Sequence, residues 1–371
     1  MVALLVVLIW GIVAAKSFLV PMCLSALLAF LISPIVRLMR RYRVPEWLAI
    51  TLASLILILP IGAVVYFIVV QGQAFVQDLP HLVASLEQLL QSLSHKAWVQ
   101  RFHLTGFTDL TNLVQHLTDS AGHGLAIAIA GLRTFLEAGT QLVLILVFAI
   151  VMLASREHLR TSGERILASF EGIESANMLD AVSSLIEQFL IARLLIVVIV
   201  AAASILTLRL FGVSYAFLLG AIIGVLTVVP ELGFWLSIIP PLVVCAAGGH
   251  SLVSVLALSV VLVGIHLIEG NILTPKMVGS AININILATF VGLFAGGLMW
   301  GVWGMFLSVP ILGILRIALS AAPTLRPWGT LLAEHEDHRL TRKLRRQQRK
   351  ETSGRQIAAG TTAAPTGHEA G

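Results

Sequence analysis

Charge is scarce in this sequence. Asp, Glu, Lys and Arg make up 12% of its 371 residues, against roughly 25% in an ordinary soluble domain. With 58% hydrophobic residues and a mean hydropathy of +0.95, the apolar surface exceeds what one close-packed core could use. That excludes an ordinary cytosolic enzyme and points to a bilayer as the solvent. Cysteine is nearly absent: Cys23 and Cys245 both lie in apolar stretches and form neither a metal-ligand spacing nor a disulfide framework. No basic n-region or cleavage site marks the N-terminus, so residues 1 to 32 read as retained membrane segments.

Several chemistries lack their signatures. No lysine follows a glycine, so there is no Walker-type phosphate loop and no ATPase of that type within the chain. His335, Glu336 and His338 are too closely spaced for a zinc-protease motif, and no Gly-x-Ser-x-Gly elbow occurs. The expectation is a protein that is not an enzyme and carries no cofactor and no metal.

What is abundant is the long apolar run. A hydrocarbon layer about 30 Å thick needs about 20 apolar helical residues, because only helices or closed barrels satisfy the backbone there. The clearest run is Trp47 to Val70, uncharged, with Pro60 expected to kink it. Residues 2–15 and 18–33 form two short helices or one broken one, split by Lys16 and Pro21. Further runs fall at about 135–154, 189–211, 215–230, 232–248, 251–268, 284–300 and 301–320, several too short to span and paired around Pro or Gly. The predicted fold is an all-α polytopic membrane bundle of about seven to nine hydrophobic segments, with broken or re-entrant hairpins and a small extramembrane helical subdomain.

Lys and Arg in the loops set the orientation. Arg37, Arg40, Arg41 and Arg43 place the first loop in the cytoplasm, the acidic stretch from 71 to 124 falls outside, and Arg156, Arg160 and Arg165 return the chain inside. The expected organisation is N-terminal membrane helices (1–70), an extracytoplasmic amphipathic segment (71–124), a membrane helix (125–154), a cytoplasmic amphipathic helix (155–187), a C-terminal membrane bundle (188–320) and a basic tail (321–371). Val76, Leu79, Val83, Leu86, Leu90 and Leu93 recur at steps of three and four, an amphipathic helix that should pack on a neighbour. His81, His95, His103, His116 and His123 fit no metal motif and read as solvated helix faces. The tail holds seven basic residues between Arg339 and Lys350. It is expected to be disordered and to attract anionic lipid, at about 1 kcal/mol per charge, rather than nucleic acid.

Charges at membrane depth cost about 2.5 to 3.5 kcal/mol or more each, so each is a functional candidate. Arg133 and Glu137, one turn apart, read as an interfacial pair. Arg193 and Arg209, near the two ends of their run, read as anchors that snorkel, and Arg193 is also carried among the pathway candidates. Glu231 follows Pro230 in TVVPELGFW, where it caps a broken helix, faces a cavity or sits in an exposed turn. Glu269 opens EGNILTPKMVG, where Pro275 and Gly279 are expected to break the helix and Lys276 to offset the carboxylate, with Asn271 beside them. Helix breaks are tolerated in lipid only beside protein or water, which is why transporters place their sites there. Pro230, Gly233, Pro275, Gly279 and Pro310 are the candidate hinges. Gly220 and Gly224, Gly292 and Gly296, and Gly297 and Gly301 are each four apart, a spacing that lets helices or subunits approach closely.

Several of these stretches resemble the autoinducer-2 exporter family, also called the PerM-like permeases. They are FLISPIVRLMRRYRVPEWLAI, with Pro34, its arginines and Pro45; QGQAFVQDLP; GVSYAFLLGAIIGVLTVVPELG; and IEGNILTPKMVG followed by GLMWGVWGMFLSVP. In the last two, Gly212, Gly220, Pro230 and Gly233, then Glu269, Asn271, Pro275, Gly279, Gly301, Gly304 and Pro310, stand where the family's own residues stand. The resemblance covers roughly residues 20 to 320. It implies a multi-pass protein of the bacterial cytoplasmic (inner) membrane with a cytoplasmic C-terminus, oligomeric, in a family with members assigned to export of a furanone quorum signal and to sodium/proton antiport. Where the family commonly has an uncharged residue, this chain has Glu231, which favours ion coupling.

Three functions follow as expectations. The first is an exporter of a small polar solute, autoinducer-2 among the candidates, through the broken hairpins of residues 212 to 320. The second is a cation/proton antiporter using Glu231 and Glu269. The third is a non-transporting membrane scaffold.

Overall fold

A computed structural model describes residues 7, 10–94, 142–169, 175–229, 232–278, 283–322 and 325–333. Pro230, Glu231, Gly279, the Arg133 and Glu137 pair, the histidines from His95 to His123 and the basic tail lie outside the described residues. Among the described residues all regular structure is helical, apart from one isolated bridge between Ile284 and Ala333.

Helix α1 spans Lys16–Arg41 and contains both Pro21 and Pro34. A helix that meets lipid has no water to satisfy a broken backbone, so proline bends it without ending it. Here the Ser25 hydroxyl donates to the Pro21 carbonyl at 2.6 Å. What ends α1 is local: Arg43 takes a left-handed φ of 60°, and Val44 precedes Pro45, which disfavours the helical region.

Helix α2, Glu46–Ser94, has 49 residues and passes through Pro60 and Pro80. At 1.5 Å per residue it is about 73 Å long, more than twice the hydrocarbon thickness. The apolar run and the amphipathic stretch that follows it are therefore one helix, with no structural break at position 70. Helices α3 (Leu142–Ala154) and α4 (Arg156–Ala168) bend by 69° where they meet.

Helix α5, Ser175–Leu210, is the centre of the molecule. With no proline or glycine in this stretch, the end of the expected amphipathic segment, from Ser175, and the apolar run merge into one 36-residue helix, while α4 holds the segment's first part. Its Ile196, Val200 and Leu208 are buried against α6 (Ala216–Leu226), α7 (Leu232–Ala247) and α8 (Leu252–Ile268), which contribute Leu219, Phe234 and Leu258. A π-helical turn at Glu269–Leu273 joins α8 to α9, Thr274–Met277. Helices α10 (Ile286–Trp300) and α11 (Val302–Ala321) form a hairpin at Gly301, whose φ of 65° suits only glycine at low cost. A short α12 (Arg326–Leu332) closes the described chain.

Among the described residues five helices are long and apolar enough to cross a membrane, six with the bent α3–α4 pair, and α6, α7 and α10 are shorter apolar helices. This is the polytopic bundle expected from the sequence. Only 11% of the apolar window of α2 is buried inside the protein, and large residues such as Leu59 and Leu298 point outward. That exposed apolar face is what lipid covers. At one end of the bundle Arg37 holds Glu187 through two 2.7 Å bonds, and Arg156 reaches Glu46 at 2.9 Å.

Candidate functional site

Helix α5 and the end of α8 bring Arg193 and Glu269 into the interior. Because α5 begins at Ser175, Arg193 sits at its middle rather than near its end. It is 6% exposed, so the snorkelling role expected from the sequence is corrected: the guanidinium turns inward. It meets Glu269, also 6% exposed, with Nη1 3.5 Å from Oε1. Six residues separate Arg193 from the Glu187 clamp, a rise of about 9 Å.

Glu269 stands where α8 widens into the π turn. The local sequence accounts for the widening. Pro275 has no N–H to donate to the carbonyl four residues back, and its ring collides with a regular helix there. One extra residue per turn relieves the collision, and Gly270 flexes to accommodate it. The Asn271 side chain donates to the Leu267 carbonyl at 2.9 Å, satisfying an acceptor on the turn before. So Pro275 bulges the helix, which ends two residues later at Met277. Pro310, by contrast, lies inside α11 and breaks nothing. π turns of this kind are frequent at functional sites.

Three more groups complete the cluster. The Thr274 hydroxyl donates to Glu269 Oε1 at 3.3 Å. His266, one turn before Glu269, has Nδ1 3.2 Å from Oε2, close enough for an ion pair when the ring is protonated but outside hydrogen-bond alignment. Phe234 of α7 lies flat on the imidazole, with centroids 3.9 Å apart and planes 6° from parallel. Lys276 is exposed, so the cation beside the carboxylate is Arg193 and not the lysine expected from the sequence. His266 was legible in principle, since a histidine three residues before a glutamate shares its helix face. Phe234 required the fold.

The electrostatics are unusual. The exposed pair Arg37–Glu187 is tight and bidentate, whereas the buried pair is long and single. Charge-assisted bonds normally close to about 2.7 to 2.9 Å, and a buried pair repays its desolvation only with good geometry. Arg193 Nη2 is buried with no hydrogen-bond partner among the described residues. The site therefore holds an underused donor beside a carboxylate, an arrangement suited to receiving an oxygen atom from outside rather than to holding the fold.

Gly233 lies at the start of α7, its N–H donating to the Val229 carbonyl at 3.2 Å across the α6–α7 break. Arg209 lies sixteen residues from Arg193 on α5, about 24 Å along the axis. With Gln71, Val213, Tyr215, Ala216 and Phe217 it lines a recess of about 280 Å³. There Tyr215 donates to Asp78, and the Leu218 N–H donates to Gln71 Oε1 at 3.1 Å. The recess thus lies at the end of α5, and the Glu269 cluster meets the same helix at its middle.

Comparison with known proteins gives one family. The model described as AI-2E family transporter matches residues 2–324. The AI-2 transport protein TqsA of Escherichia coli is 26% identical over 320 residues, 86% of this chain and 90% of TqsA. A Haemophilus influenzae protein provisionally named as a transport protein is 26% identical over 339 residues, 91% of this chain and 96% of its own length. YueF of Bacillus subtilis, also provisionally named for transport, is 23% identical and covers 82% of this chain and 84% of its own.

Proposed function

The chain belongs to the AI-2E family of membrane transporters, and from that premise we propose that it carries a small polar solute past the Arg193–Glu269 cluster. Membership makes it a multi-pass transport protein and not an enzyme, and it leaves the scaffold reading without support. The observation that carries the proposal is the buried, loosely made ion pair at a π turn, with a titratable histidine against it. Ionisable groups at membrane depth are kept where a pathway needs them. No Walker loop is present, so the driving force is an ion gradient or the solute's own.

The similarity to TqsA makes autoinducer-2 the first solute to try. His266 beside Glu269 favours a second reading, cation/proton exchange, because the imidazole and the carboxylate share a helix face with Nδ1 3.2 Å from Oε2. We place the Arg37–Glu187 end in the cytoplasm, in a bacterial inner membrane, with the C-terminus on the same side and the basic tail on anionic lipid; the assembly is a homo-oligomer. The test is flux in proteoliposomes holding the purified full chain, measured in parallel for autoinducer-2, sodium and protons. Glu269→Gln is expected to bring the transported species to background while the protein stays folded. Wild-type flux in that variant would remove the cluster from the pathway, and no flux of any of the three by the folded wild-type protein would overturn the proposed solutes.

A further inference from the structure

Arg193 has two terminal nitrogens and uses one. Nη1 lies 3.5 Å from Glu269, and Nη2 is buried without a partner among the described residues. Leaving such a donor unmade costs more than a neutral one, because the group is charged and desolvated. A structural ion pair in this position would close to the geometry that Arg37 and Glu187 reach a short way along the same helix. Thr274 instead donates to the same Glu269 oxygen at 3.3 Å.

The surroundings explain why the pair stays open. Oε1 is shared between Arg193 and Thr274, and Oε2 faces His266. Glu269 therefore has a second resting place, turned to the imidazole that Phe234 braces. Arg193 has no such alternative: among the described residues, Glu269 is the charged acceptor it meets. A guanidinium presents a planar fork matched to two oxygens on one centre. Glu269 fills that fork with a single oxygen and leaves its second terminal nitrogen open.

We propose that Arg193 is the binding group for a small solute oxyanion, a carboxylate or phosphoryl group, and that Glu269 is its built-in competitor, displaced toward His266 when the solute binds. The inference rests on the reading that this cluster lies on the solute's path, and it narrows the solute class to anions that offer two oxygens to one guanidinium. Glu269 then serves as a placeholder: it compensates the buried cation while the site is free of solute and yields to an anion that fits the fork better.

This arrangement has a consequence that a purely structural pair would not share. Removing the competitor's charge must strengthen anion binding. The test uses the full chain in phospholipid-free detergent micelles, titrated calorimetrically with D-lactate and with inorganic phosphate, and with xylitol as the neutral control. Saturable heat is expected from at least one of the anions and not from xylitol. In Glu269→Gln the affinity for that anion is expected to rise about tenfold, the worth of one charge-assisted hydrogen bond regained. Arg193→Gln combined with Glu269→Gln, which leaves no uncompensated buried charge, is expected to lose binding while keeping its thermal unfolding transition. Unchanged or weaker anion binding in Glu269→Gln, retained binding in the double variant, or no anion binding in the wild type would each overturn the assignment. Flux is measured separately, so a chain that binds an anion but transports nothing contradicts the carrier reading and leaves this one standing.

Discussion

Glu269→Leu is expected to destabilise the folded protein by about 3 to 5 kcal/mol, because it strands Arg193 as an uncompensated charge in the interior. Arg193→Met should fail to a similar degree for the mirror reason. The informative variant is the pair together. Arg193→Met with Glu269→Leu replaces two desolvated charges by apolar groups of similar volume, and such exchanges are commonly neutral or stabilising by about 1 to 4 kcal/mol. The double variant is therefore expected to recover wild-type stability, read as the midpoint of unfolding in a denaturing-detergent titration, while its flux stays at background. Recovery of both stability and flux would make the pair a packing device. This separation of fold from function follows from the loose geometry of the pair, whose Nη1 to Oε1 distance is 3.5 Å.

Gly304→Ala is expected to open the α10–α11 hairpin. A Cβ at position 304 would stand 2.0 Å from the Gly296 carbonyl oxygen, and one at 296 would stand 2.4 Å from the Gly304 oxygen. The obstacle is backbone on both sides, so no side-chain rotation relieves it and the helices must separate. Overpacking of this kind costs about 1 to 3 kcal/mol and occasionally more. The separation also undoes the bond that the Ser308 hydroxyl can donate across the hairpin to the Gly292 carbonyl at 2.7 Å, leaving it the Gly304 carbonyl of its own helix at 2.6 Å. Loss of folded yield and a lower thermal midpoint in detergent are the readouts, and a wild-type midpoint would show that the close approach of the two glycines is not required. Ser308→Ala, which leaves both backbones in place, should fall between the two, at about 1 kcal/mol.

Much of this was legible in the chain before the fold was known, and the exceptions have physical causes. Glu269 stood out because a carboxylate beside an apolar run is expensive, and the glycine pairs stood out by their spacing. That Gly296 faces Gly304 within a hairpin could not be read, since spacing along one helix does not name the partner across it. Arg193 was misplaced because apolar composition starts its run at 189, whereas the helix starts at Ser175 and puts the arginine at its middle. The same merging joined the apolar and amphipathic parts of α2. Proline ends helices in water, so the sequence marks Pro310 as a break, whereas a helix surrounded by lipid and protein continues through it. The π turn has no sequence rule of its own: it is the outcome of Gly270, Asn271 and Pro275 acting together on one turn.

The central claim is that Glu269 and its neighbours lie on a route open to water-soluble species rather than in a sealed core. Thr274 donates to Glu269 and is half-buried, so it reports on that route. With Cys23 and Cys245 first replaced by alanine, Thr274→Cys can be exposed in sealed vesicles to a membrane-impermeant thiol reagent added to one side and then to the other. The account predicts modification from both sides, slowed by transported solute. A thiol that stays unmodified from either side in vesicles that still transport would contradict it.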